Sequence, residues 1–168
     1  MTSFLDRTFR FSCGAMAGAQ LFFAAIAAQV VFNTGVAALP HGDPRKNLAA
    51  ELVGQMLARL DATTMVIAAI CVALAVLLSA RNWMSSSLRR ALGPVLAGLC
   101  ACASMFGTTP AIQALRAADR TGEKLFGQLH ALSGLLLLLQ LLLFAWAALR
   151  PDASGAKPSA LDANADAR

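Results

Sequence analysis

Only two histidines occur in this 168-residue sequence, and one of them, His130, stands between Leu125 and Leu149, where no other side chain titrates. An ionisable group inside an apolar stretch of membrane length is a functional candidate, because lipid makes it costly. His130 could form hydrogen bonds between helices, relay protons or ligate a metal. Ser133 follows one helical turn later, yet no Gly-x-Ser-x-Gly elbow is present, and no carboxylate is expected within a span to orient the imidazole. Hydrolytic chemistry is therefore not expected, nor any enzyme. Cys100 and Cys102 are two apart, roughly 200° around a helix, and do not have a zinc or thioredoxin spacing. With Cys13 and Cys71 they read as free thiols used for packing. A bis-histidine haem would need a second copy of the chain, since His41 falls in a loop. No cofactor and no metal site are expected.

What must position these residues is legible in the distribution of charge. The composition is 58% hydrophobic and 14% charged, against roughly half and a quarter in soluble domains. The charges cluster and leave four windows free of Asp, Glu, Lys and Arg, at residues 11–40, 62–80, 91–115 and 125–149. Each window approaches or exceeds the ~20 residues that cross ~30 Å of hydrocarbon. Their Ala and Leu content and the lack of alternation favour helices over barrel strands. The expected fold is all-α, a bundle of four transmembrane helices with spans at about 11–39, 61–80, 91–109 and 125–149, and with both termini on the same side. Residues 1–10 form a cytoplasmic N-terminus. The small-x-small trio Ala25, Ile26 and Ala27 could mark a cleavage site, but the apolar run continues to Leu39, so the first span reads as retained.

Helices in lipid associate through small residues and interhelical hydrogen bonds, so each span should carry a small or polar stripe. On the first it runs through Gly14, Gly18, Ala25, Gln29 and Asn33. The second offers Thr64, Ala68, Cys71, Ala75 and Ser79, and the third Gly93, Ala97, Ala101, Ser104 and Thr108. On the fourth, His130, Ser133, Gly134, Leu137 and Gln140 share a sector of about 120°. His130, Ser133 and Gln140, together with Gln29, Asn33 and Arg116, thus form a candidate polar network in or near the bundle, with Gly14, Gly18, Gly93 and Gly134 as packing positions.

The connections have structure of their own. Asp43 before Pro44 is a helix start, and Leu48, Leu52, Met56 and Leu60 make residues 44–60 amphipathic. Thr109 and Pro110 mark a second helix start, leading to Arg116. The tail, residues 151–168, is too poor in apolar side chains to order and is expected to be disordered.

The segments AQVVFNTGVAALP, AAELVGQMLARLD, TPAIQALR and FGQLHALSG, in this order, resemble the transmembrane-protein-205-like family, a domain of unknown function. The resemblance covers Phe11 to Leu149. It rests most on Pro110, Ile112, Leu115 and Arg116, and on Phe126, Leu129, His130 and Ser133. It implies a four-span integral membrane fold and no established reaction. Where the family pattern often places an asparagine four residues after the serine, this chain has Leu137.

The net charge of +5 comes from basic residues spread over helix ends, without a recognition helix or stacking platform, so nucleic acid is not expected as a partner. Eight basic residues (Arg7, Arg10, Arg81, Arg89, Arg90, Arg150, Lys157, Arg168) fall on the face of the termini and six on the other, which orients the termini to the cytoplasm. The location expected is an integral membrane, the cell's inner membrane in a bacterium. The reading that follows is a multi-pass membrane protein without enzymatic activity, structural or accessory. Its alternatives are a small oligomeric transporter or efflux-like protein and, further off, a haem- or metal-binding redox protein. Its partners would be the bilayer and a second copy or another membrane protein.

Overall fold

The computed structural model of the protein describes residues 2–33, 38–40, 43–79 and 85–150, all of its regular elements being helical. The expected disordered tail and His41 lie outside the described residues. Four rods result. The first combines Thr2–Phe22, a π-helical turn Phe23–Ala27 and Ala28–Asn33. Pro44–Ser79 is the second. The third combines Ser85–Ala103, a π-helical turn Ser104–Thr108 and Thr109–Ala117, and the fourth is Lys124–Leu149. Each contains a stretch long and apolar enough to cross a membrane: Phe4–Val31, Pro44–Leu78, Arg89–Ala117 and Lys124–Leu149. The fold is thus compatible with a multi-pass membrane protein.

Local chemistry sets the rod ends. The first helix starts well before residue 11, and in its opening turns Arg10 donates to Asp6 at 2.9 Å with the i,i+4 spacing that supports a helix. Ahead of Pro44, the Asp43 side chain accepts the Arg45 backbone N–H at 2.9 Å, while its carbonyl accepts from Lys46 and Asn47. This caps the second rod. The amphipathic segment 44–60 and the second span are one continuous helix of 36 residues, about 54 Å long, well beyond the ~30 Å of hydrocarbon. The helix start expected at Thr109 and Pro110 is not a break either. The π turn ends at Thr108, so the ring of Pro110, which has no N–H to donate and would crowd an α-helical carbonyl, follows a widened turn. The third rod stops in a Schellman arrangement: Asp119 takes φ 55°, Arg120 N donates to Leu115 O at 2.9 Å and Asp119 N to Arg116 O at 3.0 Å.

The rods form a ring in chain order. First packs on second, second on third, third on fourth, and fourth back on first. The beginnings of the first and third rods meet the end of the fourth: Arg90 donates to Asp6 at 2.8 Å, and Arg150 to the Arg89 carbonyl at 3.0 Å. The interior is built of small and polar side chains, with Ala75, Ala97, Ala101, Cys13 and Cys71 fully buried, and Phe144 the largest. Long apolar chains such as Phe22, Ile26, Val66, Ile70, Leu99, Leu135 and Leu142 point outward. In water so large an apolar surface would be an association hazard; against acyl chains it is the ordinary state.

The stripes drawn from sequence on the second and third rods face inward: Thr64, Ala68, Cys71 and Ala75 on one, Ala97, Ala101, Ser104 and Thr108 on the other. The first rod is turned differently. Its buried side runs through Phe9, Cys13, Met16, Gln20 and Phe23, while Gly18 has no heavy atom within 4 Å of where a Cβ would stand and Gly14 only Ala148 Cβ at 3.9 Å. Gly134 likewise faces open space. Gly93 is the close approach: a Cβ there would stand 3.0 Å from the Leu143 carbonyl oxygen and 3.2 Å from Ala147 Cβ.

Gly93→Val should therefore lower thermal stability in detergent by about 1–3 kcal/mol, the usual cost of overpacking. Gly18→Val makes the same change of helix propensity against open space and should be nearly neutral; equal losses would contradict the packing. At the start of the second rod, the Arg45 guanidinium and backbone N–H hold the Asp43 carboxyl below the usual carboxylate range. A group lowered on folding contributes stability above its unfolded pKa, about 3.9, and loses it as pH falls through the lowered value. NMR titration of Asp43 should give a midpoint below that of an isolated aspartate, and Arg45→Ala should raise it.

Candidate functional site

A chain of hydrogen bonds crosses the middle of the bundle. Gln20 of the first rod donates Nε2 to Thr64 Oγ1 at 3.2 Å and to Gln140 Oε1 at 2.9 Å. Gln140, from the fourth rod, passes the chain on by donating Nε2 to Asp61 Oδ1 at 3.1 Å. Ser104 of the third rod, 1% exposed, lies beside the same carboxylate. Asp61 and Thr64 are one turn apart on the second rod and so share a face. Gln20, Asp61, Thr64 and Gln140 are each 0% exposed. The bond from Gln140 to Asp61 spans the diagonal between the fourth and second rods, which places the chain on the bundle axis.

The energetic weight of this chain lies in what its loss would leave. Interhelical hydrogen bonds in membranes average only ~0.6 kcal/mol, but a buried group stripped of its partner costs about 1–3 kcal/mol. A wrong helix register would strip several at once, so the chain specifies the packing more than it strengthens it. Nearby, Cys13 Sγ and Cys71 Sγ touch at 3.6 Å as buried free thiols.

At the end of the bundle away from the Asp6–Arg90 pair, the second, third and fourth rods leave a cleft of about 730 Å3, lined among others by Lys46, Glu51, Gly54, Gln113, Arg116, Phe126 and His130. Arg116 donates Nη1 to the Ala50 carbonyl at 2.9 Å and lies over the Phe126 ring, 5.7 Å from its centroid. On the fourth rod His130 stacks on Phe126, the rings 9° from parallel and 6.1 Å apart. A Cβ at Gly54 would make ordinary contact with Nη1, at 3.6 Å. Lys46 donates to the Leu39 carbonyl at 3.0 Å. The sequence offers Glu51 or Asp61 as a counter-charge for Arg116; the guanidinium meets a backbone carbonyl and an aromatic face instead.

The candidates named from sequence divide between these two places. Gln140 belongs to the central chain, and Ser133 is buried two turns away from it. Arg116 and His130 belong to the cleft. His130 is exposed: the inward stripe of the fourth rod runs through Ser133, Gln140, Phe144 and Ala147, and at 100° per residue His130 is turned some 60–80° from Ser133 and Gln140. Gln29 is exposed beyond the first π turn, and the Asn33 side chain lies outside the described residues. Gln20 is not singled out by the sequence, and Asp61 only as a counter-charge for Arg116. The expectation that no carboxylate stands within a span fails at Asp61, which lies inside the apolar stretch of the second rod. The signal is periodic: Asp61, Thr64, Ala68, Cys71 and Ala75 recur at intervals of three and four, as do Phe9, Cys13, Met16, Gln20 and Phe23. Among the described residues no three His, Cys, Asp or Glu side chains gather as a metal-ligand group.

No protein-family model, curated protein or solved structure matches this chain. The geometry defines its class as a four-helix bundle with membrane-length rods and a polar axis.

Gln140→Leu would strip Asp61 Oδ1 and one branch of Gln20 together. The variant should lose about 1–3 kcal/mol in detergent denaturation, and a double-mutant cycle with Gln20→Leu should show coupling. Strictly additive losses would mean that the two amides do not act as one chain.

Proposed function

We propose that this chain is a multi-pass integral membrane protein without enzymatic activity, a helical scaffold or accessory component closed from within by its polar axis. One observation carries the reading: polar side chains from the first, second and fourth rods hydrogen-bond one another at full burial, with buried Ser104 of the third rod beside them. An interior so occupied supports packing as its role. The basic residues orient the bundle with both termini in the cytoplasm, and a bacterial cell would hold it in the inner membrane. The surface left to partners is lipid-facing and apolar, suited to acyl chains and to another spanning helix, from a second copy or a different membrane protein.

The resemblance to the transmembrane-protein-205-like family supports the same reading, and its two most specific motifs contribute Arg116 and Phe126, which touch across the cleft. That cleft favours a second reading, a small oligomeric transporter with a mouth at the Arg116–His130 end.

The protein should resist extraction by alkaline carbonate. With single cysteines at Ser3, Ser154 and Gln55 in a background lacking the native ones, an impermeant maleimide applied to intact cells should label Gln55→Cys alone, and the termini only after permeabilisation. Termini on opposite sides would refute the topology. Proteoliposomes loaded with candidate solutes should show no flux above empty vesicles; a flux abolished by His130→Ala with folding intact would replace the scaffold by the transporter.

A further inference from the structure

Among the described residues Asp61 is the acid that the bundle buries completely, and the packing role leaves half of it unused. Oδ1 accepts from Gln140, but Oδ2 is buried without a hydrogen-bond partner, and so is Oε1 of Gln20 in the same chain. The chain has two idle acceptors and is short of a donor. We propose that Asp61 is a proton-binding site, loaded and emptied from the cleft at the Arg116–His130 end of the bundle.

A proton on the carboxyl supplies the missing donor. The oxygen and nitrogen of a side-chain amide occupy equivalent positions, so the same heavy atoms accommodate a chain of reversed polarity. With the proton on Oδ1, Asp61 donates to Gln140 Oε1 and Gln140 donates to Gln20 Oε1, which also accepts from the Thr64 hydroxyl; the charge is removed, and the unpartnered position of Gln20 passes from its oxygen to its nitrogen. When the proton leaves, the amides turn back to the arrangement seen here, with Gln140 donating to the carboxylate. No bond other than the O–H breaks or forms, and the proton passes to water in the cleft.

The surroundings make the proton the means of neutralising this carboxyl. Gln20 faces it from the first rod, Ser104 from the third and Gln140 from the fourth, and none of these is charged. Other titratable groups are further along the rods: Cys13 and Cys71 toward one end, Cys100 and Cys102 beside Ser104 on the third rod, Arg59 exposed two residues before Asp61, and His130 and Arg116 at the cleft. Cys102 is turned to Met65 at 3.6 Å. His130 is ten residues from Gln140 and Arg116 twelve from Ser104, about 15 and 18 Å at 1.5 Å per residue. No cation is within ion-pair reach among the described residues, and lipid makes an uncompensated charge costly.

Hydroxyls are spaced between the two places. One turn from Ser104 toward the cleft is Thr108, 5% exposed, and two turns from Gln140 in the same direction is Ser133, 6% exposed. Beside Thr108 the hydroxyl of Thr109 is buried with no partner. Thr108 and Ser104 close the π turn of the third rod, an irregularity frequent at functional sites. The inference goes beyond the scaffold reading and does not depend on it.

Infrared difference spectroscopy of the purified protein in lipid tests it. The wild type should show the C=O band of a protonated carboxylic acid that declines as pH rises, shifts down in D2O and is missing in Asp61→Asn. Ser133→Ala and Thr108→Val should leave the band in place but slow its D2O shift severalfold. Should Asp61→Asn not fold, the pH and D2O responses of the wild type still decide. Absence of the band at every pH overturns the proposal. So does its removal when sodium chloride replaces choline chloride at constant pH, which would assign the site to an alkali cation. An exchange rate indifferent to both hydroxyl variants overturns the route from the cleft.

Discussion

Lipid offers no hydrogen bonds, and the rest of this structure follows from that refusal. Every amide, hydroxyl and carboxyl drawn below the headgroups must find its partner inside the bundle. Gln20 and Gln140 meet most of that demand for the first, second and fourth rods by spanning the axis, and Ser104 of the third rod lies beside them. Around that axis the walls need only be thin, and they are: alanine, cysteine and glycine, with Gly93 letting the third rod come close to the backbone of the fourth. Most of the bulky leucines and phenylalanines are turned outward, with Phe9, Phe23, Leu115 and Phe144 the buried exceptions.

The same constraint gives the two ends of the molecule different characters. At one, Asp6, Arg10 and Arg90 form an ion-pair cluster that ties the first rod to the third. At the other, the second rod runs on past the hydrocarbon and leaves a cleft where Arg116, Phe126 and His130 stack in series. A guanidinium between a carbonyl and an aromatic face is well served without a carboxylate; Glu51, on the same cleft, accepts from Gln55 at 3.2 Å.

Much of this architecture is legible in the sequence, because windows without charge and stripes of small residues are direct consequences of lipid and packing. The four rods and the inner faces of the second and third are read correctly from spacing. The first rod is misread because its glycines suggest a seam that the packing does not use, while Gln20, the polar residue that matters, shares a face with Phe9 and Met16 and so hides in a hydrophobic stripe. Asp61 is missed for a different reason: windows drawn by the absence of charge must stop at an aspartate, so it reads as the boundary of the second span and not as part of its interior. His130 is conspicuous by chemistry, but its angular position puts it at the rim, and only coordinates separate a sector of 120° into buried and open halves.

The ring of neighbours in chain order also has a consequence for biogenesis. As rods enter the bilayer one after another, each meets its predecessor at once, and every seam except the last can form with a nearest neighbour in time. The seam between first and fourth must wait until the fourth helix has been made. Until Gln140 arrives, Gln20 has Thr64 alone and Asp61 has no amide to hold it, so an incomplete chain in the membrane carries an unmet polar face, a feature by which quality-control proteases and insertion chaperones can tell a nascent three-helix stage from the finished bundle.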